Sequence, residues 1–216
     1  MNPEPLDCQP SVMTRFNYQP KTSSSLSVWF INLFLLYKKM NLEVEIKTGL
    51  KNYNSARKTI YKLGKFIKKV RQIDTYYTPP DRDYYTEKPV RYYIRTRETK
   101  DKFTFEFHKP RLGKNVKSEA EEYEVTINDK KTFLQIIKFI GLRKRAVVGK
   151  VREYFMCGKF EIALDKVKDL GIFIEVEAKS SKLTKKDCMN FLKKSGVEFE
   201  ILKNDNYALM AIEKVK

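Results

Sequence analysis

Charged pairs separated by one residue recur along the chain: Glu43 and Glu45, Arg95 and Arg97, Glu122 and Glu124, Lys150 and Arg152, Glu175 and Glu177. An i, i+2 pair leaves a β-strand on one face, so each pair aims two like charges into the same space. That arrangement is unfavourable unless counter-charges or ions share the space. Lys47, Lys109 and Asp165 extend the pattern. A triphosphate with a hard divalent ion would satisfy both halves. Carboxylate oxygens suit Mg2+ or Mn2+, and guanidinium and ammonium groups suit phosphate oxygens. Any single pair is most simply a solvated strand face, but five such pairs in order are harder to explain that way.

Other chemistries are narrowed by what accompanies these pairs. His108 is the only histidine, which excludes triads that need a second one, and as a lone residue it is read as structural. Cys8, Cys157 and Cys188 are odd in number and widely spaced, without a zinc-ligand pattern, so a reducing, cytoplasmic compartment is expected. A formal charge of +17 points to an anionic partner without saying which kind. Nucleic acid is the rival partner, through Lys65 to Arg71 and Leu142 to Arg145, but it is not expected to be the main one.

The elements that must hold the charged pairs follow from periodicity. Leu42, Val44 and Ile46 alternate with Glu43, Glu45 and Lys47, which predicts a strand over 41–47. Further strands are expected over 71–77, 90–97, 102–109, 120–127, 146–155, 159–164 and 171–178, rich in aromatic and β-branched residues. Ala56, Ile60, Leu63, Phe66, Ile67 and Val70 predict an amphipathic helix over 53–71. Helices are also expected over 130–140 and 183–194, then a strand over 198–202 and a short terminal helix. Strands follow one another through short loops, so the expected class is α+β with a large antiparallel sheet.

The first 39 residues differ, with Pro3, Pro5, Pro10, Pro20, the run Ser23 to Ser25, and an apolar stretch from Leu26 to Tyr37. That stretch is too short to span a bilayer and lacks a signal-peptide cleavage pattern, so no stable membrane span is expected. Residues 1–39 are read as a disordered or non-native extension, and 40–216 as the domain.

Taken in order, Glu43-Val-Glu45-Ile-Lys47, Gln72-Ile-Asp74-Thr-Tyr76-Tyr77, Arg95-Thr-Arg97, Lys109-Pro110, Glu122-Tyr-Glu124, Lys150-Val-Arg152 and Asp165 through Leu170-Gly171-Ile-Phe173-Ile-Glu175-Val-Glu177 resemble the CYTH superfamily, the triphosphate tunnel metalloenzymes. The resemblance runs from Met40 to the C-terminus. It implies an eight-stranded antiparallel closed barrel forming a tunnel, with helices packed outside. It further implies that Lys47, Arg95, Arg97, Lys109, Lys150 and Arg152 clamp phosphates. Glu43, Glu45, Glu122, Glu124, Glu175 and Glu177 would serve Mg2+ or Mn2+, with Asp165 supporting a basic neighbour.

Within that family the Glu-Val-Glu-Ile-Lys start and the Leu-Gly-Ile-Phe-Ile-Glu-Val-Glu segment look most like the class IV adenylyl cyclase branch. The expected enzyme therefore converts ATP to cyclic AMP and pyrophosphate. Inorganic, thiamine or nucleoside triphosphatase is the alternative. Tyr37 and Lys38 stand where bacterial class IV cyclases carry His-Phe, which counts against cyclisation. Asp74, Tyr76, Tyr77 and the lysines are all open as general base, and none is assigned. The resemblance is compatible with a homodimer.

Overall fold

The computed structural model describes residues 41–87, 90, 92–110 and 120–215. The reading of residues 1–39 lies outside the described residues. The chain begins with β1 (Asn41–Glu43) and β2 (Glu45–Leu50), separated by Val44 alone. Helix α1 (Tyr53–Leu63), the long strand β3 (Lys65–Thr78) and a 3₁₀ turn at Tyr84–Thr86 follow. Then come β4 (Tyr93–Glu98), β5 (Phe103–Pro110), β6 (Ala120–Thr126) and α2 (Lys130–Phe139). The chain ends with β7 (Arg143–Cys157), β8 (Phe160–Val167), β9 (Gly171–Ala178), α3 (Lys185–Lys194), β10 (Phe199–Glu200) and α4 (Tyr207–Lys214). This is the α+β class that the periodicity predicts.

The strands form one antiparallel sheet in the order β1-β6-β5-β4-β3-β7-β8-β9-β2-β10. The ladder has ten strands rather than the eight expected, and among the described residues no pairing joins its first strand to its last. Residues 41–50 account for part of the difference. Asn41 pairs with Glu122 of β6, whereas Glu45 pairs with Glu177 of β9. Val44 drops out of the strand between them, and its carbonyl accepts a hydrogen bond from Ala178 N at 2.9 Å. One ten-residue segment therefore reaches strands that stand far apart in the order, so the sheet must bend back toward itself.

Helix α1 ends sooner than its pattern predicts, and residues 65–71 begin β3 instead. Asn52 starts the helix by accepting a hydrogen bond from Ser55 N, and Ala56 and Ile60 bury its apolar face. At the other end Gly64 lies flat against β7: a Cβ there would sit 2.5 Å from the Met156 carbonyl oxygen and closer still to Cys157 Sγ. Beyond it, β3 pairs with β7 from Lys65↔Met156 to Thr78↔Arg143. That long ladder overrides the helical spacing of Phe66, Ile67 and Val70.

The convex side of the sheet carries the apolar core. Ile162, Leu164, Ile174 and Val176 pack with Ala56, Ile60, Cys188 and Leu192, under α1 and α3. Tyr77, Ile94 and Ile137 form a second cluster, with Phe105, Phe107 and Phe133 of α2 packed on it. A third, joining Tyr76, Val148, Val167 and Phe173 to Tyr207 and Ala208 of α4, lies on the other, concave face, at the same strand parity as Asp74, Lys150, Asp165 and Glu175. Strand alternation sends the charged residues to that concave face beside it, opposite the first two clusters.

Candidate functional site

Period two places Tyr93, Arg95 and Arg97 of β4 on one face, and it does the same for Lys150, Arg152 and Tyr154 of β7 and for Glu175 and Glu177 of β9. Together with Glu45 and Lys47 of β2 and Glu122 and Glu124 of β6, they line one cavity of about 480 Å³. Ten of the charged residues picked out by spacing thus meet in a single space: Glu45, Lys47, Arg95, Arg97, Glu122, Glu124, Lys150, Arg152, Glu175 and Glu177.

Three expected site residues are placed differently. Lys109 is exposed and does not line the cavity, because inward positions on β5 fall at Thr104, Glu106 and His108. Asp165 is fully buried behind Arg152. Glu43 lies in β1, and its side chain is outside the described residues.

The cations are held by buried acids. Arg152 donates from Nε to Asp165 Oδ1 at 2.7 Å and from Nη2 to Oδ2 at 2.5 Å, and Nη2 also lies 2.5 Å from Glu175 Oε2. Burial would lower the Arg152 pKa, but Glu175 and Asp165 outweigh it and hold the group well above its ordinary value. Lys47 Nζ sits 3.0 Å from Glu175 Oε1 and donates to the Asp205 carbonyl at 3.1 Å. Burial would raise Glu175, yet Arg152, Lys47 and Lys150 keep it well below the usual carboxylate range. Tyr207 closes this corner from α4, its hydroxyl donating to Asp165 Oδ2 at 2.8 Å and its ring 4.1 Å from Lys47 Nζ.

Lys150 behaves differently from its neighbours. It is 4% exposed, and burial together with Arg152 pushes its pKa down to about 8, against the pull of Asp74. Its charge therefore changes near physiological pH.

Among the described residues no hydrogen bond or ion pair engages the Glu45 carboxylate. Burial, and then Glu175, raises its pKa. Glu177, directly opposite in register, is also raised, chiefly by burial, although Lys179 Nζ lies 2.7 Å away. Two such carboxylates call for a cation, and their oxygens suit a hard divalent ion. A second acidic group draws Glu106, His108 and Glu122 within 4.8 Å of one another. Arg95 already occupies it, bonded to Glu106 through Nε at 2.8 Å and 3.4 Å from His108 Nε2. Burial would lower the His108 pKa, but its hydrogen bonds to Glu106 and Glu122 raise it.

His108 and Glu106 are site residues that spacing alone did not single out. Their signal was present: Thr104, Glu106 and His108 alternate with Phe103, Phe105 and Phe107, and the aromatic set marks the face that meets α2. No helix among the described residues is long and apolar enough to cross a membrane.

A family profile described as CYTH domain matches residues 41–193. A Methanocaldococcus jannaschii protein named "Putative adenylate cyclase" is 35% identical over 147 residues, spanning 68% of this chain and 82% of that protein. A solved Pyrococcus horikoshii structure matches with a TM-score of 0.65 at 26% identity, covering 80% of this chain and 99% of that one. A Hippeastrum protein, reported to have a dominant triphosphatase activity, matches at TM-score 0.56 and 18% identity, covering 81% and 96% of the two chains. At that identity the Hippeastrum likeness bears on the fold alone. With 41–193 matched by the profile, and with the ordered acidic and basic pairs converging on one cavity, the chain belongs to the CYTH domain family.

Proposed function

We propose that this chain is a metal-dependent enzyme that acts on a triphosphate held in the concave cavity. The observation that carries the reading is the meeting of five cations, Lys47, Arg95, Arg97, Lys150 and Arg152, with the carboxylates of Glu45, Glu175 and Glu177. A triphosphate offers the cations non-bridging oxygens, and guanidinium forks bind those with directional hydrogen bonds. Glu45, Glu175 and Glu177 would hold Mg2+ or Mn2+, with Glu122 and Glu124 lining the same cavity. Bound there, the ion would neutralise charge on the phosphates. The protein's own part is to fix the phosphate chain and set which phosphorus faces the attacking oxygen.

In this reading the curved sheet acts as a tunnel closed through residues 41–50. The continuity of that segment between β6 and β9 supports it. Conversion of ATP to cyclic AMP and pyrophosphate is the first reading, favoured by the name of the relative that is 35% identical. Hydrolysis of inorganic, thiamine or nucleoside triphosphate is the second, favoured by Tyr37 and Lys38 standing where bacterial class IV cyclases carry His-Phe, and a Hippeastrum protein of the same fold is reported to have a dominant triphosphatase activity. Both bind the same triphosphate and differ in the phosphorus attacked.

The test is to incubate the purified protein with Mg2+ or Mn2+ and, separately, ATP, inorganic triphosphate and thiamine triphosphate, resolving every product. Cyclic AMP with pyrophosphate supports the cyclase, and orthophosphate supports the triphosphatase. Turnover that persists undiminished in both Glu175→Gln and Glu177→Gln would remove this cavity as the site.

A further inference from the structure

Asp74 stands on β3, between β4 and β7, and has no exposed surface. It does not line the cavity, yet it is the point where cations from both neighbouring strands meet. Arg97 grips it twice, Nε to Oδ1 at 2.7 Å and Nη2 to Oδ2 at 2.8 Å. Lys150 Nζ lies 3.2 Å from Oδ2, and Arg95 Nη1 lies 3.6 Å from the same oxygen. Burial would raise the Asp74 pKa, but Lys150, Arg95 and Arg97 outweigh it and hold it well below the usual range. Both oxygens are engaged and the group stays ionised, so it is poorly suited to act as a general base.

We propose that Asp74 is a positioning residue that fixes the spacing of Arg95, Arg97 and Lys150, and so makes the clamp selective for a triphosphate over a shorter phosphate chain. The proposal rests on the reading that the cavity holds a triphosphate. Three desolvated cations repel one another, and without a shared anion they would drift apart or turn toward other acids. Arg95 is already held by Glu106 as well, so the cations that depend most on Asp74 are Arg97 and Lys150. A clamp at fixed spacing meets successive phosphates of a long chain and leaves cations unpaired around a short one. A clamp free to rearrange fits both.

Losing the Asp74 charge also makes the cavity more positive, which strengthens every polyphosphate and the more highly charged triphosphate most, so electrostatics alone would raise the preference rather than lower it. The ratio of affinities therefore reports positioning, whereas either affinity alone does not.

The experiment is calorimetric titration of the full chain with inorganic triphosphate and with pyrophosphate, in the presence and in the absence of Mg2+. Wild type is expected to prefer triphosphate, and Asp74→Asn to reduce that preference by about tenfold, with binding stoichiometry unchanged. An unchanged ratio overturns the proposal. So does a reduced stoichiometry at unchanged affinities, because that marks Asp74 as needed only for folding. If Asp74→Asn does not fold, Arg97→Lys keeps the charge and loses the two-point grip. The same loss of preference is expected there, and an unchanged ratio again overturns the proposal. Wild type that binds neither anion under either condition would instead sink the triphosphate reading itself.

Discussion

Glu45 of β2 and Glu177 of β9 stand directly opposite each other across an antiparallel ladder, two half-buried acids whose pKa values are both raised. Directly opposed like charges destabilise a sheet by roughly 0.2–1 kcal/mol. Removing one should therefore help the metal-free protein. Glu45→Gln is the cleaner change, because Lys179 already partners Glu177. Its melting temperature without metal should rise above that of wild type, while the stabilisation that Mn2+ gives wild type should disappear. An equal Mn2+ shift in both proteins would place the ion elsewhere.

The same pair sets a pH dependence. Glu45 has a folded-state pKa above its unfolded value, so its contribution favours the fold below the unfolded pKa and is lost as pH rises through the folded one. Metal-free stability should therefore fall more steeply from acidic to neutral pH in wild type than in Glu45→Gln. Urea denaturation at several pH values measures this, and parallel profiles would refute it.

Lys150 should make phosphate binding sensitive to alkali. With its pKa pushed down to about 8, the ammonium is charged below that pH and lost above it. Affinity for inorganic triphosphate should decline as pH rises through 8. Lys150→Arg should flatten the decline, because a guanidinium stays charged. Lys150→Met should cost about 2 kcal/mol of binding or more even at neutral pH. A pH-independent affinity in wild type would show that Lys150 does not face the phosphates.

Asp165 should prove structural before it proves functional. It holds the Arg152 fork at 2.7 and 2.5 Å and accepts from Tyr207 at 2.8 Å, with no exposed surface. Asp165→Asn leaves a buried guanidinium underpaired and should cost roughly 3 kcal/mol of stability. Tyr207→Phe removes one hydrogen bond to a charged acceptor and should cost about 1.5 kcal/mol. The order of the two urea midpoints is the check; a larger loss in Tyr207→Phe would contradict this account.

Gly64 should tolerate no side chain. Gly64→Ala puts a Cβ against the Met156 carbonyl and Cys157, so the start of β3 must shift away from β7. A loss of about 1–3 kcal/mol is expected from the overpacking. A midpoint equal to that of wild type would mean that the two strands separate freely there.

Alternation made much of the site legible in advance. Glu45, Arg95, Arg97, Glu122, Glu124, Lys150, Arg152, Glu175 and Glu177 reach one cavity because each lies at an inward position of a strand, and the order of those pairs pointed to the family. What failed was parity and priority. Lys109 was chosen by its place before Pro110, but period two turns it outward and turns His108 in. Residues 65–71 satisfied a helical spacing, and the helix lost to a long cross-strand ladder with β7 that no local pattern records. The bond from Arg97 to Asp74 joins residues 23 apart in sequence, and only register reveals it.

Residues 41–50 join β6 through their first part and β9 through the rest, so this segment is needed at two places in the sheet and neither partner is nearby in sequence. On the ribosome it emerges before either strand exists. It must remain unpaired until β6, and finally β9, has been made. An unpaired strand edge is a template for wrong pairings, and contacts of such high sequence separation form slowly. The earliest residues of the domain are therefore among the last to find their place. Slow or interrupted synthesis would leave them exposed as a seed for aggregation.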